Sequence, residues 1–525
     1  MSSQASGPAG RKAPFIDIVG YATGDGVNSL VLNTIAGFSM LYYTEALHLP
    51  YTWAAWAMFA ATVWDAVTDP VMGHVTDNTR SRFGRRHPYM LIGGILSVIC
   101  FYFIWAVPDA LRGSNVSLFV YLVVINLLLR TSLTVFTVSH GALGFEICTD
   151  YTQRSTLQGV KVGFNMLVNF CGPAMAWMFF FREKTAASTA TAPAATTTAP
   201  TTTSAPVALD PTAFPERYVP MAIAFSVAAL ALVLVVTFAT RKYIVDTRQS
   251  REIEGNDFGT MLRDLRDTLL DRFPRTVFLF MGVVMMGAAL VSSLQMYVYV
   301  HFMRFPAVYK TLVHGSTMVA CGLGGVISPL LVARLDKKPA VYAAVGVTVI
   351  ANVMLTLLFV TGWVPPDLSV TAPARIPLVG GCAVPVSMPL FLVFHASYWF
   401  GNGVLSPIAM SMMADVSEIW KYRTGVLKDG AYSAMLSFVV KASISAGLLI
   451  SGYCLAGVGF DVDADVQSPA AIHRLAAVTF LAGAGIAFAA MLMIIRYPVT
   501  RAYMAEIKAA IAAREAGAMG EGSQP

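Results

Sequence analysis

Charge is scarce in this sequence: lysine, arginine, aspartate and glutamate make up 13% of its 525 residues, while 56% are hydrophobic. Mean hydropathy is +0.63. An average soluble domain is about one quarter charged, so a soluble enzyme is excluded and the chain reads as a polytopic membrane protein. Cysteine is also sparse. Its six copies (Cys100, Cys148, Cys171, Cys321, Cys382, Cys454) stand singly with no CxxC, which removes a disulfide framework and a thiolate metal centre. The span-embedded histidines His140, His314 and His395 share no ligand spacing, so no metal site is expected from them. No HExxH or GxSxG pattern lies in the apolar segments, which argues against an intramembrane enzyme. The net charge of +6 resides in short segments between apolar runs, where basic residues act as orientation signals; no nucleic-acid partner is expected.

What is abundant is apolar sequence of membrane-crossing length. Twelve segments fit, near 16–44, 50–76, 88–108, 116–146, 156–181, 217–240, 276–300, 310–333, 338–362, 377–413, 431–458 and 472–496. The segment 377–413 is long for one span, so it should be tilted or reach past the membrane. Arg80, Arg82, Arg85, Arg86, Arg154, the basic residues from Arg241 to Arg275, Lys337 and Lys338 all fall on one side, which predicts both termini in the cytoplasm. The reading divides the chain into a tail (1–15), a six-helix half (16–240), a linker (241–275), amphipathic around 257–270, a second six-helix half (276–496) and a C-terminal tail (497–525). The Ala/Thr/Pro-rich stretch within 183–216 is expected to be a flexible exterior loop. Six spans on each side of a charged linker suggest two related halves, a suggestion supported by an echo of the loop Asp77–Arg86 in Arg334-Leu335-Asp336-Lys337-Lys338-Pro339.

Two aspartates break the apolar pattern. Asp65 and Asp69 stand one turn apart on span 2, with Thr68 beside them and Pro70 next, where a loosened helix is expected. A carboxylate within a bilayer costs a few kcal/mol, so two of them imply a polar cavity, a bound cation or both. Hard oxygen ligands suit Na⁺, and a close carboxylate pair also suits a proton, so either cation fits. Pairing with a basic residue on another helix is the alternative. Span 4 carries a polar stripe, Arg130, Thr134, Thr137 and Gly141, where Arg130 could neutralise an aspartate or hold an anionic substrate. Lys441 is embedded in span 11, and Lys161 lies a short way into span 5, close enough to snorkel. These groups are expected to converge on one cavity between the halves. Around the cytoplasmic rim, Asp77, Arg85, Arg86, Glu146, Asp150, Asp415 and Glu418 alternate in sign, which suits a gate of salt bridges or a solvated surface. Tyr21 and Trp399 could stack on a sugar ring, although packing is their commoner role.

The run Trp64-Asp65-Ala66-Val67-Thr68-Asp69-Pro70-Val71-Met72-Gly73, continuing through Asp77 to Thr79-Arg80-Ser81-Arg82-Phe83-Gly84-Arg85, resembles the glycoside–pentoside–hexuronide:cation symporter family of the major facilitator superfamily. Gly20-Tyr21 with Gly24-Asp25 and Asn28, Asp150-Tyr151 with Arg154, and Ala414-Asp415 with Glu418 extend the resemblance. It implies the all-α major facilitator fold, twelve transmembrane helices in two six-helix halves. It also implies a cation site at Asp65 and Asp69 with Thr68 and Thr134 as neighbours, possible Na⁺ ligands among them, and a substrate cavity including Lys441, Lys161, Asn28, Ser29 and Thr137, to which Arg130 adds a cation that melibiose carriers lack. Where melibiose carriers of the family have acidic residues on spans 1 and 4, this chain has Ser29 and Thr137, and Gly141 replaces a tryptophan. The expectation is therefore a Na⁺- or H⁺-coupled secondary symporter of a sugar or glycoside, with the cavity shifted toward an anionic one such as a hexuronide. A sodium-dependent lysophospholipid carrier of the same fold is the alternative. No cofactor is expected beyond the coupling ion, no catalytic residue, a lipid bilayer (the bacterial inner membrane) as surroundings, and a functional monomer.

Overall fold

The computed structural model describes residues 13–79, 81–147, 151–182, 210–244, 272–366, 375–377, 383–424, 429–464, 466–495 and 497–521. Among them are twelve long helices: α1 (Phe15–Leu41), α2 (Tyr51–Asn78), α3 (His87–Trp105), α4 (Asn115–Ile147), α5 (Tyr151–Met175), α6 (Tyr218–Ala239), α7 (Arg272–Tyr297), α8 (Ala307–Leu335), α9 (Lys337–Leu355), α10 (Ser387–Thr424), α11 (Asp429–Gly457) and α12 (Pro469–Ile494). A further helix, α13 (Arg501–Glu521), follows, and two short strands, β1 (Arg375–Pro377) and β2 (Ala383–Pro385), pair antiparallel ahead of α10. Nine of the described helices are long and apolar enough to cross a membrane. The long helices outside that set are α1, α2 and α10, whose aspartate, asparagine, serine and glycine content lowers their hydropathy. Two of these three, α1 and α2, carry the aspartates Asp25, Asp65 and Asp69 described below.

The halves are built on one plan. After α1 the chain makes a π turn, Tyr42–Ala46, then places His48 at φ 57° and starts α2 behind Pro50. After α7 it makes a π turn, Val298–Phe302, places Arg304 at φ 46° and starts α8 behind Pro306. The backbone bonds match too: Leu49 N–H to the Tyr43 carbonyl and Phe305 N–H to the Tyr299 carbonyl, each feature recurring 256 residues later. A positive φ at two non-glycine residues in equivalent places is the mark of an inherited connection.

Packing distinguishes the two ends of the bundle. The largest apolar cluster joins residues of both halves, including Leu41, Tyr42, Tyr43, Trp105 and Trp177 with Tyr297, Phe302, Phe391 and Phe460. These lie at the late ends of the odd-numbered helices and the early ends of the even-numbered ones. At the other end the interior divides among the described residues: one cluster (Ile18, Tyr21, Phe136, Leu143, Val236) belongs to the first half, another (Phe278, Phe280, Met412, Ile419, Ile494) to the second. The halves are therefore sealed at one end, here called the closed end, and the termini lie at the opposite end.

Several sequence expectations are refined. The long tenth segment is the 38-residue helix α10, which starts later than expected because β1 and β2 take its first residues. α2 runs unbroken through Pro70. Of the segment 183–216, residues 183–209 lie outside the described residues, and the rest is packed: Pro211–Ala213 and Pro215–Arg217 are 3₁₀ turns, with Thr212 buried and its carbonyl accepting from Tyr218. Asp210 initiates this structure by accepting from the Thr212 N–H. The linker amphipathic stretch 257–270 lies outside the described residues. The C-terminal tail is largely α13, which buries Met504 and Ile507 against the second half, while Arg501 bonds the Val332 and Ala333 carbonyls at the end of α8.

Candidate functional site

Asp65 is the fifteenth of 28 residues in α2, Arg130 the sixteenth of 33 in α4, and Lys441 the thirteenth of 29 in α11. All three are therefore at mid-helix. They meet. The Lys441 ammonium lies 3.1 Å from Asp65 Oδ2 and pairs more closely with Asp69 Oδ2. Arg130 Nη1 is 3.4 Å from Asp65 Oδ2, and its Nη2 reaches the Thr62 hydroxyl at 3.5 Å. The Thr134 hydroxyl stands 2.8 Å from Asp65 Oδ1 and 3.0 Å from Asp69 Oδ1, so its one proton serves either carboxylate. Thr68 approaches Thr134 at 3.4 Å and bonds the Asp65 carbonyl. All four carboxylate oxygens are engaged, and two negative charges face two positive ones. With side chains of Asp65 and Arg130 only 11% and 13% exposed, that balance is what makes ionised groups tolerable at this depth.

The partners come from different bodies. Asp65, Asp69, Arg130 and Thr134 belong to the first half, where Trp64 also bonds Thr131 to tie α2 to α4. Lys441 belongs to the second half and crosses the seam between α2 and α11. The oxygens gathered here, two carboxylates with the Thr68 and Thr134 hydroxyls, are hard donors of the kind that suit an alkali cation or a proton. The ammonium of Lys441 occupies the space between the two carboxylates.

A second cluster lies wholly within the first half. Lys161 on α5 pairs with Asp25 on α1 at 3.2 Å, both about one-fifth exposed. Nearby on α1, Ser29 donates to the Asn165 carbonyl of α5 and accepts from Asn33. Asn28 and Thr137 are half-buried and make no hydrogen bond with either cluster. Asp25 entered the sequence reading only as part of a motif. The signal that could have found it is the one that singled out Asp65, a carboxylate within a span, but here it stands among Asn28, Ser29 and Asn33.

The rim residues behave differently. Arg86 is buried and donates to the Thr76 hydroxyl at 2.7 Å. Arg85 is half-buried. Asp415 pairs with Lys337, which also donates to the Ser411 carbonyl, and Glu418 lies 3.3 Å from Lys508 of α13. These pairs stay inside the second half. Asp77 and Glu146 end α2 and α4, but their side chains, and Asp150 altogether, lie outside the described residues. Of the aromatic candidates, Tyr21 is fully buried and stacks on His140 at 4.3 Å, and Trp399 donates to Gln295. Both are packing residues in this state.

At the closed end, Lys310 of α8 is 1% exposed, pairs with Asp210 and lies 4.7 Å over the Trp177 ring. Burial opposes charge on Asp210, but the Lys310 ammonium and the Thr212 donors outweigh it and hold the carboxyl below its usual value of 3.8.

The comparisons agree with this architecture. Residues 20–501 match the family described as MFS/sugar transport protein. The inner membrane symporter YicJ of Escherichia coli is 23% identical over 87% of this chain and 86% of its own length. The glucuronide carrier protein homolog of the same organism is 24% identical over 93% and 94%. The sodium-dependent lysophosphatidylcholine symporter 1 of Xenopus tropicalis is 28% identical over a shorter stretch, 28% of each chain. Among solved structures, the nucleoside transporter NupG superposes with a TM-score of 0.58 at 12% identity, covering 91% of this chain and 99% of its own. A D-xylose-proton symporter does so with 0.54 at 13%, covering 92% and 96%. At those identities the structures speak for the fold alone. The chain belongs to the MFS/sugar transport family, the glycoside–pentoside–hexuronide:cation symporter branch of the major facilitator superfamily.

Proposed function

We propose that this protein is a secondary symporter that couples a monovalent cation, Na⁺ or H⁺, to uptake of a sugar or glycoside bearing a negative charge, such as a hexuronide. The observation that carries the reading is the position of Lys441, whose ammonium lies against both Asp65 and Asp69 from the opposite half. An incoming cation competes for those oxygens. Once displaced, Lys441 is a free ammonium beside a cavity that has gained one positive charge, and an anionic substrate restores the balance. Cation and substrate thus need each other, which is the thermodynamic meaning of symport.

The remaining geometry supports alternating access. With both termini cytoplasmic, the sealed end is exterior and this state faces inward. Reorientation then breaks the closed-end contacts and brings the opposite ends of the two halves together. The Asp25–Lys161 cluster offers polar contacts for substrate hydroxyls in the first half. The resemblance to lysophosphatidylcholine symporters favours a second reading, an amphiphile with a charged headgroup at Lys441.

Uptake into proteoliposomes tests both. Glucuronides, neutral glucosides and lysophosphatidylcholine are presented with and without Na⁺ and pH gradients. Cation-stimulated accumulation of the glucuronide supports the first reading, lysophosphatidylcholine accumulation the second. Uptake that equilibrates but never rises above the external concentration overturns coupling.

A further inference from the structure

Lys310 is held by the opposite half. It is the fourth residue of α8, a helix of the second half, and its side chain is 1% exposed. Among the described residues its ammonium has two partners, the Asp210 carboxylate and the face of the Trp177 ring 4.7 Å away, and both belong to the first half. Asp210 is placed differently. Its Oδ1 accepts from the Thr212 N–H at 3.1 Å and the Thr212 hydroxyl at 2.8 Å, and the turn that carries it is tied to its own half by Tyr218, which donates to the Thr212 carbonyl. Parting the halves at the closed end therefore leaves the carboxylate with two donors and strips the ammonium of both partners. The loss is uneven for a second reason. Lys310 lies in the first turn of α8, where the helix dipole presents its positive end, so a cation without a counter-ion is disfavoured there.

We propose that Lys310 is an anion-binding residue of the exterior vestibule: as the closed end opens, its ammonium exchanges Asp210 for the carboxylate of the arriving substrate. The inference rests on the reading above, in which the closed end is exterior and the substrate a negatively charged sugar, and adds to it a contact at the entrance, ahead of Lys441 at mid-helix. A carboxylate that meets Lys310 offsets part of the cost of breaking the Asp210 pair, and so shifts the equilibrium toward the form that admits it. A neutral sugar has no such effect on Lys310. Selection for charge then begins before the substrate reaches the centre.

The test uses the full chain in lipid nanodiscs, with a spin-label distance between the start of α2 and the end of α11 as readout, titrated with glucuronate and with glucose. In wild type, glucuronate should populate the longer distance and glucose should not. Lys310→Gln should weaken the half-effect concentration of glucuronate about threefold or more, the order expected for one solvent-accessible charge pair. Asp210→Asn should tighten it, because the ammonium is then free, and Lys310→Arg should retain it. Lys310→Gln and Asp210→Asn delete the same ion pair, so a latch with no role in binding moves glucuronate affinity in one direction in both. That result, or equal responses to glucuronate and glucose in wild type, overturns the proposal while leaving symport standing. A wild-type protein that responds to neither sugar overturns it together with the anionic-sugar reading.

Discussion

Glu45 and His301 occupy equivalent places in the two halves, 256 residues apart and each the fourth residue of a matching π turn, and their side chains meet at 3.3 Å. A contact between symmetry-related positions can only lie on the pseudo-twofold axis, so this pair marks where the axis leaves the bundle at the closed end. Tyr51 donates to the same glutamate, and Thr44 bonds Tyr297 at 2.7 Å, which surrounds the axis with cross-half and within-half hydrogen bonds.

Closure there should depend on backbone proximity at one glycine. A Cβ on Gly452 of α11 would stand 2.7 Å from the Tyr51 carbonyl and 2.4 Å from Ala55 Cβ. Gly452→Val is expected to wedge α11 from α2 and populate the form open at that end. Spin-label distances between the ends of α2 and α11 should lengthen by several Å, roughly the width of the added side chain; an unchanged distance distribution would contradict the assignment.

The Lys310–Asp210 pair gives a pH prediction. Because the Asp210 carboxyl is held below 3.8, the pair stabilises the closed end at all pH values above that and is lost only as pH falls through the lowered value. Closed-end distances should therefore be constant from about pH 5 to 8 as far as this pair is concerned. Asp210→Asn leaves an uncompensated buried ammonium and should destabilise closure by about 3 kcal/mol, the usual scale for breaking such a pair from one side. Thermal melts and the same spin-label pair measure it.

At the centre, the symport reading predicts that Asp69→Asn abolishes uphill accumulation while counterflow persists, since one of the two paired carboxylates has lost its charge. Thr134→Val keeps the shape and removes the shared hydroxyl; a weakening of apparent cation affinity of about tenfold is expected for one lost hydrogen bond to a charged group. Full accumulation in Asp69→Asn would remove this aspartate from the coupling step.

Lys161→Met strands Asp25 as an unpaired carboxylate in the first half. Substrate KM should rise with little change in the cation-to-substrate ratio, and Asp25→Asn combined with Lys161→Met should recover part of the loss, because the pair is then removed together. Equal damage to the ratio and to KM would place this cluster in coupling instead.

Most of the fold was legible because membrane spans announce themselves by length and apolarity, and the charged linker marks the division into halves. The quartet Asp65, Asp69, Arg130 and Lys441 was legible for a related reason: ionised groups at mid-span must find one another. Three things were not. Asp25 hides in a helix already polar enough that one more polar residue carries little contrast. The packing of Pro211–Ala213 against the bundle depends on Asp210 meeting a lysine 100 residues later, which no local composition signals. The matched π turns at Tyr42–Ala46 and Val298–Phe302 share backbone geometry but little side-chain identity, so the repeat they reveal is a property of the folded chain.

The division of the apolar interior, one cluster spanning both halves at the closed end and a separate cluster in each half at the other, has a thermal consequence. Drying one seam and wetting the other exchanges hydrophobic contact between the ends, and hydrophobic attraction weakens on cooling. If the seam closed in the other orientation buries a different apolar area from this one, the two orientations differ in heat capacity, and the balance between them drifts with temperature even in the absence of any ligand.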